Sequence, residues 1–230
     1  MSATLNLVCD GLWTIHHREF SIGGLQIGTR SNVVRLPDGS LALHAPGPLD
    51  ATELAAVRTL GTVSALIFPN LLHTGFAARA AAAFPEARVF AAPGVATKVP
   101  GLRVDNVLGQ SVPSVFAGVA EMLVWEGCPL VDERIFFLPA TRTLLAVDLN
   151  FNLHGLTGLT RFAMWLNNAN DRYCVTRLAR SQYIKDAAAA GRSIRVMADA
   201  WDIDRIVVSH GEIVVSGGRS LLREAWAFAG

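Results

Sequence analysis

Cysteine and charge are both scarce in this chain, and each scarcity excludes something. The three cysteines, Cys9, Cys128 and Cys174, are widely spaced and odd in number. No C-x-x-C occurs, so neither a disulfide framework nor a cysteine zinc site is expected. A reduced, cytoplasmic setting is the default for such a chain. Charged residues make up 17% of the sequence and the net charge is only +1. A balance that close to zero gives no electrostatic case for nucleic acid or an anionic membrane as partner. No uninterrupted apolar run approaches the ~18 residues of a membrane span. The opening Met1-Ser-Ala-Thr-Leu-Asn6 has no basic stretch followed by an apolar core, so it does not read as a signal peptide. Glycine-rich nucleotide loops and the G-x-S-x-G elbow of serine hydrolases are missing too.

What is present is apolar. Hydrophobic residues are 51% of the 230, enough for a sizeable core, with surplus that makes a homodimer plausible. No stretch reads as a flexible linker, so residues 1–230 are expected to form a single domain built of two β-then-α halves. In the first half, Leu12–His16, Asn32–Leu36 and Ser40–His44 read as strands, the last two joined by the turn Pro37-Asp-Gly39. Asp50 and Glu53 form a capping-box pattern for a helix ending near Leu60. Strand Ser64–Phe68, helix Thr74–Phe84 and strand Ala87–Ala91 follow. In the second half, Ala120–Trp125, Arg134–Leu138 and Leu144–Val147 read as strands. Helices are expected over roughly 155–168 and 175–200, the second breaking near Gly191-Arg192. Strands Arg205–Ser209 and Glu212–Val215 and a helix over Arg219–Phe228 close the chain.

One grammar recurs. A short buried-strand pattern ends, and a polar residue able to bind a metal appears. Ala65–Pro69 is followed by Asn70 and His73, Leu144–Val147 by Asp148, and Ile206–Ser209 by His210 and Gly211. Side chains at strand ends sit at the rim of a sheet, where open α/β folds place ligands. His73, Asp148 and His210 are therefore the candidate metal ligands. His16 and His17 are adjacent, so on a strand at most one of them can face such a site. His154, in a loop after Asp148, and the lone Cys128 are weaker candidates. Trp165, Trp201 and Trp226 fall in helical segments and read as core or interface residues.

The order of elements, with polar residues at strand ends, resembles the metallo-β-lactamase fold: an α/β protein built as a four-layer αββα sandwich. The likeness runs from about Asn32 to the C-terminal helix. The family's signature H-x-H-x-D-H matches Phe68-Pro-Asn-Leu-Leu-His73, of which only the last histidine remains. The family's bridging aspartate matches Asp148 and its last histidine matches His210. His44 stands where the family has an aspartate before the first helix. No histidine falls near Gly127-Cys128-Pro129, where a further ligand would be. The segments Phe-Pro-Asn-x-x-His, Arg-Thr-Leu-Leu-x-x-Asp-Leu-x-Phe-Asn and Ser-His-Gly also resemble a degenerate bacterial branch of that fold, a domain of unknown function.

The resemblance implies loss of the family's first metal site and survival of part of the second. Two imidazoles and a carboxylate leave positions open for water, the pattern of a catalytic zinc, and the same set suits iron(II) or manganese. The first expectation is thus a metal-dependent, hydrolase-like protein with at most one divalent metal and a small-molecule substrate. Asn70 or His44 would orient the attacking water or the substrate. The alternative is a non-catalytic binding or interaction module that keeps the fold without metal. A third, weaker reading is an iron(II) site that handles oxygen.

Overall fold

The computed structural model describes residues 4–230. The reading of the N-terminal segment rests partly on residues 1–3, which lie outside the described residues. In chain order the first half contains β1 (Leu5–Cys9), β2 (Leu12–His17), a small hairpin of β3 (Ser21–Ile22) and β4 (Leu25–Gln26), β5 (Thr29–Arg35) and β6 (Leu41–His44). Then come α1 (Ala51–Leu60), β7 (Val63–Phe68), α2 (Ala77–Ala83), β8 (Arg88–Ala91), α3 (Val95–Lys98) and β9 (Asn106–Val107). Seven of these strands form one sheet in the order β1-β2-β5-β6-β7-β8-β9. It is antiparallel up to β6 and parallel from β6 onward.

The second half contains β10 (Glu121–Val124), β11 (Arg134–Leu138), β12 (Thr143–Leu145), β13 (Phe151–Leu153), α4 (Gly158–Leu166), β14 (Arg172–Cys174), α5 (Ala187–Ala200), β15 (Arg205–Val207) and α6 (Gly218–Trp226). A four-stranded sheet runs β10-β11-β12-β15, with β12 and β15 parallel.

Period-two alternation builds the layers, because successive strand residues point to opposite faces. In β7, Ala65 and Ile67 join the core between the sheets, while Leu66 and Phe68 face the outer layer with Val57, Ala77 and Val95 from the helices. In β11, Phe136 and Leu138 enter the inter-sheet core, while Ile135 and Phe137 pack outward with Ile194, Met197, Leu222 and Trp226. The result is helix, sheet, sheet, helix. Apolar side chains on both faces of both sheets account for the high hydrophobic content.

The capping box forms as expected. Asp50 accepts from the Glu53 amide and Glu53 from the Asp50 amide, each at 2.8 Å. Four expectations are corrected. The helix expected over 175–200 is a single π-helical turn, Ala179–Tyr183, followed by α5. The break falls before Asp186, whose side chain caps α5 by accepting from the Ala189 amide at 2.9 Å. Gly191 is no breaker; a Cβ there would lie 2.4 Å from the Ala229 carbonyl, so the glycine lets the chain's last turn pack against α5. The helix expected from Thr74 begins only at Ala77, because Asn70 first turns the chain back on itself. Glu212–Val215 is reduced to one bridge, Val214 with Ile206. Arg134–Leu138 pairs antiparallel with its partner as expected, but that partner ends at Leu145 rather than Val147.

Candidate metal centre

Strands β7, β12 and β15 run in parallel segments, and their carboxyl ends meet at one rim of the sandwich. His73, Asp148 and His210 each follow one of them. Their donor atoms gather there. His73 Nε2 is 3.2 Å from His210 Nε2, and these lie 3.4 and 3.5 Å from the two carboxylate oxygens of Asp148. Among the described residues this is the one trio of acidic, imidazole or thiol groups placed to share a metal ion. The side chains are nearly covered: His73 is 12% exposed, Asp148 8% and His210 2%.

Each member is held from behind. His210 Nδ1 lies 2.7 Å from the Gly28 carbonyl, and only its N–H can make that bond, so Nε2 carries the free lone pair. Phe151 stacks on the His210 ring at 4.7 Å and 9°. Arg30 clamps the loop from below, donating to the carbonyls of Val208 and Gly211 on either side of His210. Gly211 must be glycine. Its φ is +101°, and a Cβ would lie 2.0 Å from the Asn152 carbonyl. Gly211→Ala is therefore expected to cost more than about 2 kcal/mol, read as a lowered melting temperature.

Asn70 is fully buried, and all of its polar atoms are engaged. Its Oδ1 accepts from the amides of Leu72 and His73, which sets the turn that presents His73. Its Nδ2 donates to Asp148 Oδ2 at 2.7 Å and to Glu133 Oε2 at 3.2 Å. Glu133 also accepts from the amides of Val147 and Asp148, at 2.6 and 2.8 Å. Two buried carboxylates thus share one carboxamide.

The electrostatics follow from burial and these contacts. Burial and the Asp148 charge push Glu133 up to about 7, against the amides that favour its ionised form. Burial alone would raise Asp148, but His73 and His210 overcome it and hold the carboxyl well below its usual range. Burial alone would lower His73, but the Asp148 charge and hydrogen bond raise it.

The other sequence candidates make their hydrogen bonds outside the trio. His44 ends β6 in the core, with Nδ1 3.2 Å from Asn32 Nδ2 and Nε2 without a hydrogen-bond partner. Burial, then the nearby His73, lowers it to about 3. His154 Nε2 is 2.9 Å from Asn152 Oδ1. Burial raises the Cys128 thiol to about 12, so it is not a thiolate near neutrality. His16 and His17 do face opposite sides. Both line a cavity of about 1000 Å³ with Arg30 and Glu212, and His17 also bonds Ser31 at 3.0 Å. That cavity is not lined by any of the three donors.

Burial also lowers His16 to about 3 and His17 to about 4. Unfolded imidazoles take up a proton near pH 6.5, so the unfolded chain binds more protons below that pH. The stability contributed by His16, His17 and His44 is present at neutral pH and lost as pH falls below about 6.5, whereas that of Asp148 is lost only below its ordinary value near 3.8. Glu133 and His73, both raised, act the other way and are outnumbered. The melting temperature of metal-free protein is expected to drop by roughly 10 °C between about pH 7 and pH 4. A flat or rising profile in calorimetry would contradict this.

Sequence reasoning missed Glu133, Arg30, Phe151 and the Gly28 carbonyl. The one available signal was Glu133-Arg134 opening the apolar run Ile-Phe-Phe-Leu.

No family model and no curated protein matches the chain; solved structures do. DIM-1 metallo-β-lactamase exposed to ceftazidime aligns over 100% of this chain and 99% of its own, with a TM-score of 0.71 at 11% identity. This chain has the metallo-β-lactamase fold. FIM-1 from Pseudomonas aeruginosa in its mono-zinc form covers 100% of this chain and 95% of its own, with a TM-score of 0.68 at 14% identity. A metallo-β-lactamase from Erythrobacter litoralis covers 99% and 92%, with a TM-score of 0.65 at 15% identity. The four-layer α/β sandwich expected from the sequence is thereby shown. Identities this low carry the fold and not the activity.

Proposed function

We propose that this protein is a metal-dependent hydrolase that holds one divalent cation at His73, Asp148 and His210. The observation that carries the reading is the spacing of the donors. With bonds of about 2.0–2.1 Å, neighbouring ligands of a tetrahedral zinc stand about 3.3 Å apart. The two imidazole donors stand 3.2 Å apart, and each faces a different oxygen of Asp148, at 3.4 and 3.5 Å. Two imidazoles and one carboxylate also leave room in the shell, as catalytic zinc requires. Manganese and iron(II) accept the same ligands. FIM-1 has a mono-zinc form, which supports the idea that this fold can hold a single ion. Phe68, Asn70 and Leu72 leave no donor set for a second.

A divalent cation there supplies Lewis-acid polarisation of a carbonyl or phosphoryl oxygen and makes water nucleophilic near neutral pH. The chain's own residues prepare for it. Gly28 fixes the His210 tautomer, His73 and His210 hold Asp148 ionised, and Asn70 and Glu133 orient it. We assign Asn70 to positioning Asp148, since its carboxamide has no free atom for water. We assign His44 to packing beneath the rim, since so weak a base holds no proton near neutrality. The test is a panel of ester, thioester and phosphoester substrates offered to metal-loaded protein. Turnover that vanishes in His210→Ala supports the reading.

One observation favours the second reading, a binding module without catalysis: the donor set is nearly covered. Sustained turnover lost on removal of a ligand would exclude it. Metal bound without any turnover across the panel would favour it.

A further inference from the structure

Helix α4 is apolar on the wrong side as well as the right one. Thr160 and Met164 are its buried residues. At 100° per residue the opposite face carries Leu159, Phe162, Trp165 and Leu166, exposed by 69, 58, 64 and 51%. Phe162 and Trp165 stack on each other in the open, with centroids 6.1 Å apart. A surface helix of a soluble protein turns polar groups to water. Four large apolar side chains on the outer face of a helix mark a contact surface.

The surroundings indicate what it contacts. Residues 155–180 hold four arginines against one aspartate, whereas the whole chain has a net charge of only +1. Asp171 is taken by Arg161 at 3.4 Å. Arg172 and Arg177 have no carboxylate partner among the described residues; they bond Asn168 Oδ1 and the Leu166 carbonyl, each at 3.1 Å. Both line a groove of about 250 Å³ beside Trp165 and Leu166. Two unpaired guanidinium groups beside an indole suit a phosphate at the edge of an apolar phase. A second copy of the chain is a poorer occupant. A two-fold contact would set the same patch against itself, arginines facing arginines.

We propose that α4 and the Arg172–Arg177 groove form a docking surface for an anionic lipid bilayer. The apolar face enters the headgroup boundary, and the arginines meet lipid phosphates, as interfacial helices do. From its buried face, α4 is tied through one hairpin to the loop that holds His210. The β3–β4 hairpin bonds α4 through the Gln26 amide and Thr160 Oγ1 at 3.0 Å, and the loop that leaves it bonds His210 through Gly28.

Vesicle flotation tests this, with phosphatidylglycerol mixed into phosphatidylcholine against phosphatidylcholine alone. Wild-type protein is expected to float with the anionic vesicles, several-fold less with neutral ones, and to come off as salt rises. Phe162→Ser with Trp165→Ser is expected to weaken binding at least about tenfold. Arg172→Glu with Arg177→Glu is expected to do the same. All four side chains are on the surface, and an unchanged circular dichroism melt verifies folding. No flotation with anionic vesicles, or flotation unaffected by both pairs, overturns the proposal. Loss of a homodimer in Phe162→Ser/Trp165→Ser without vesicle binding overturns it in favour of self-association. Binding of polyglutamate but not vesicles overturns it in favour of an acidic protein partner.

Discussion

Asp148→Ala is expected to lower divalent metal affinity by more than about a hundredfold, beyond what loss of an outer partner causes, and to cost the metal-free fold only part of the stability that the ionised carboxylate supplies at neutral pH. The two halves of this expectation have separate causes. Asp148 is the one anionic donor of the trio and faces both imidazoles. Without it, two neutral nitrogens are left to hold a dication. The metal-free protein has ways to adjust. His73 loses the carboxylate that raises it, and burial then favours its neutral form. Asn70 Nδ2 keeps its bond to Glu133, and Glu133 is freed of a like charge. Titration with zinc measures the first half and urea unfolding in the presence of a chelator the second. Unchanged zinc affinity would remove Asp148 from the site.

Glu133→Leu is expected to do the reverse, damaging the fold first. Three donors converge on this fully buried carboxylate: the amides of Val147 and Asp148 and the Asn70 carboxamide. Leucine has a similar volume and accepts nothing. The two amides would be left without partners, and Asn70 with one fewer. Each orphaned buried group costs about 1–3 kcal/mol, so the total should reach roughly 3–6 kcal/mol. Glu133→Gln keeps one carbonyl oxygen and is expected to lose less. Equilibrium urea unfolding of both variants decides the matter. A loss under about 1 kcal/mol in the leucine variant would mean that water replaces the carboxylate easily.

These two residues also show what a sequence can and cannot disclose. Asp148, His73 and His210 were legible because each follows a short apolar run, and strand ends in parallel segments share a rim. His44 was placed at the same rim, but its depth was not legible. The core around it comes from Phe136, on a strand far along the chain. Glu133 gave little signal, since an acidic residue ahead of a strand ordinarily reads as solvated. Its partners come from a different strand end, which only the folded register brings near. Arg30 was hidden for the same reason: it grips carbonyls nearly the whole chain away. The helix breaks were misread where packing overrides propensity. Gly191 sits inside α5 because Ala229 needs the room. Trp165 follows a helical period, and period alone does not tell an inner face from an outer one.

Metal content by plasma mass spectrometry, on untagged protein dialysed in turn against zinc, manganese and iron(II), tests the central claim most directly. The account predicts about one equivalent of a single metal per chain, lost in the His73→Ala/His210→Ala double variant. Metal content unchanged in that variant, or no metal retained under any of the three conditions, would contradict it.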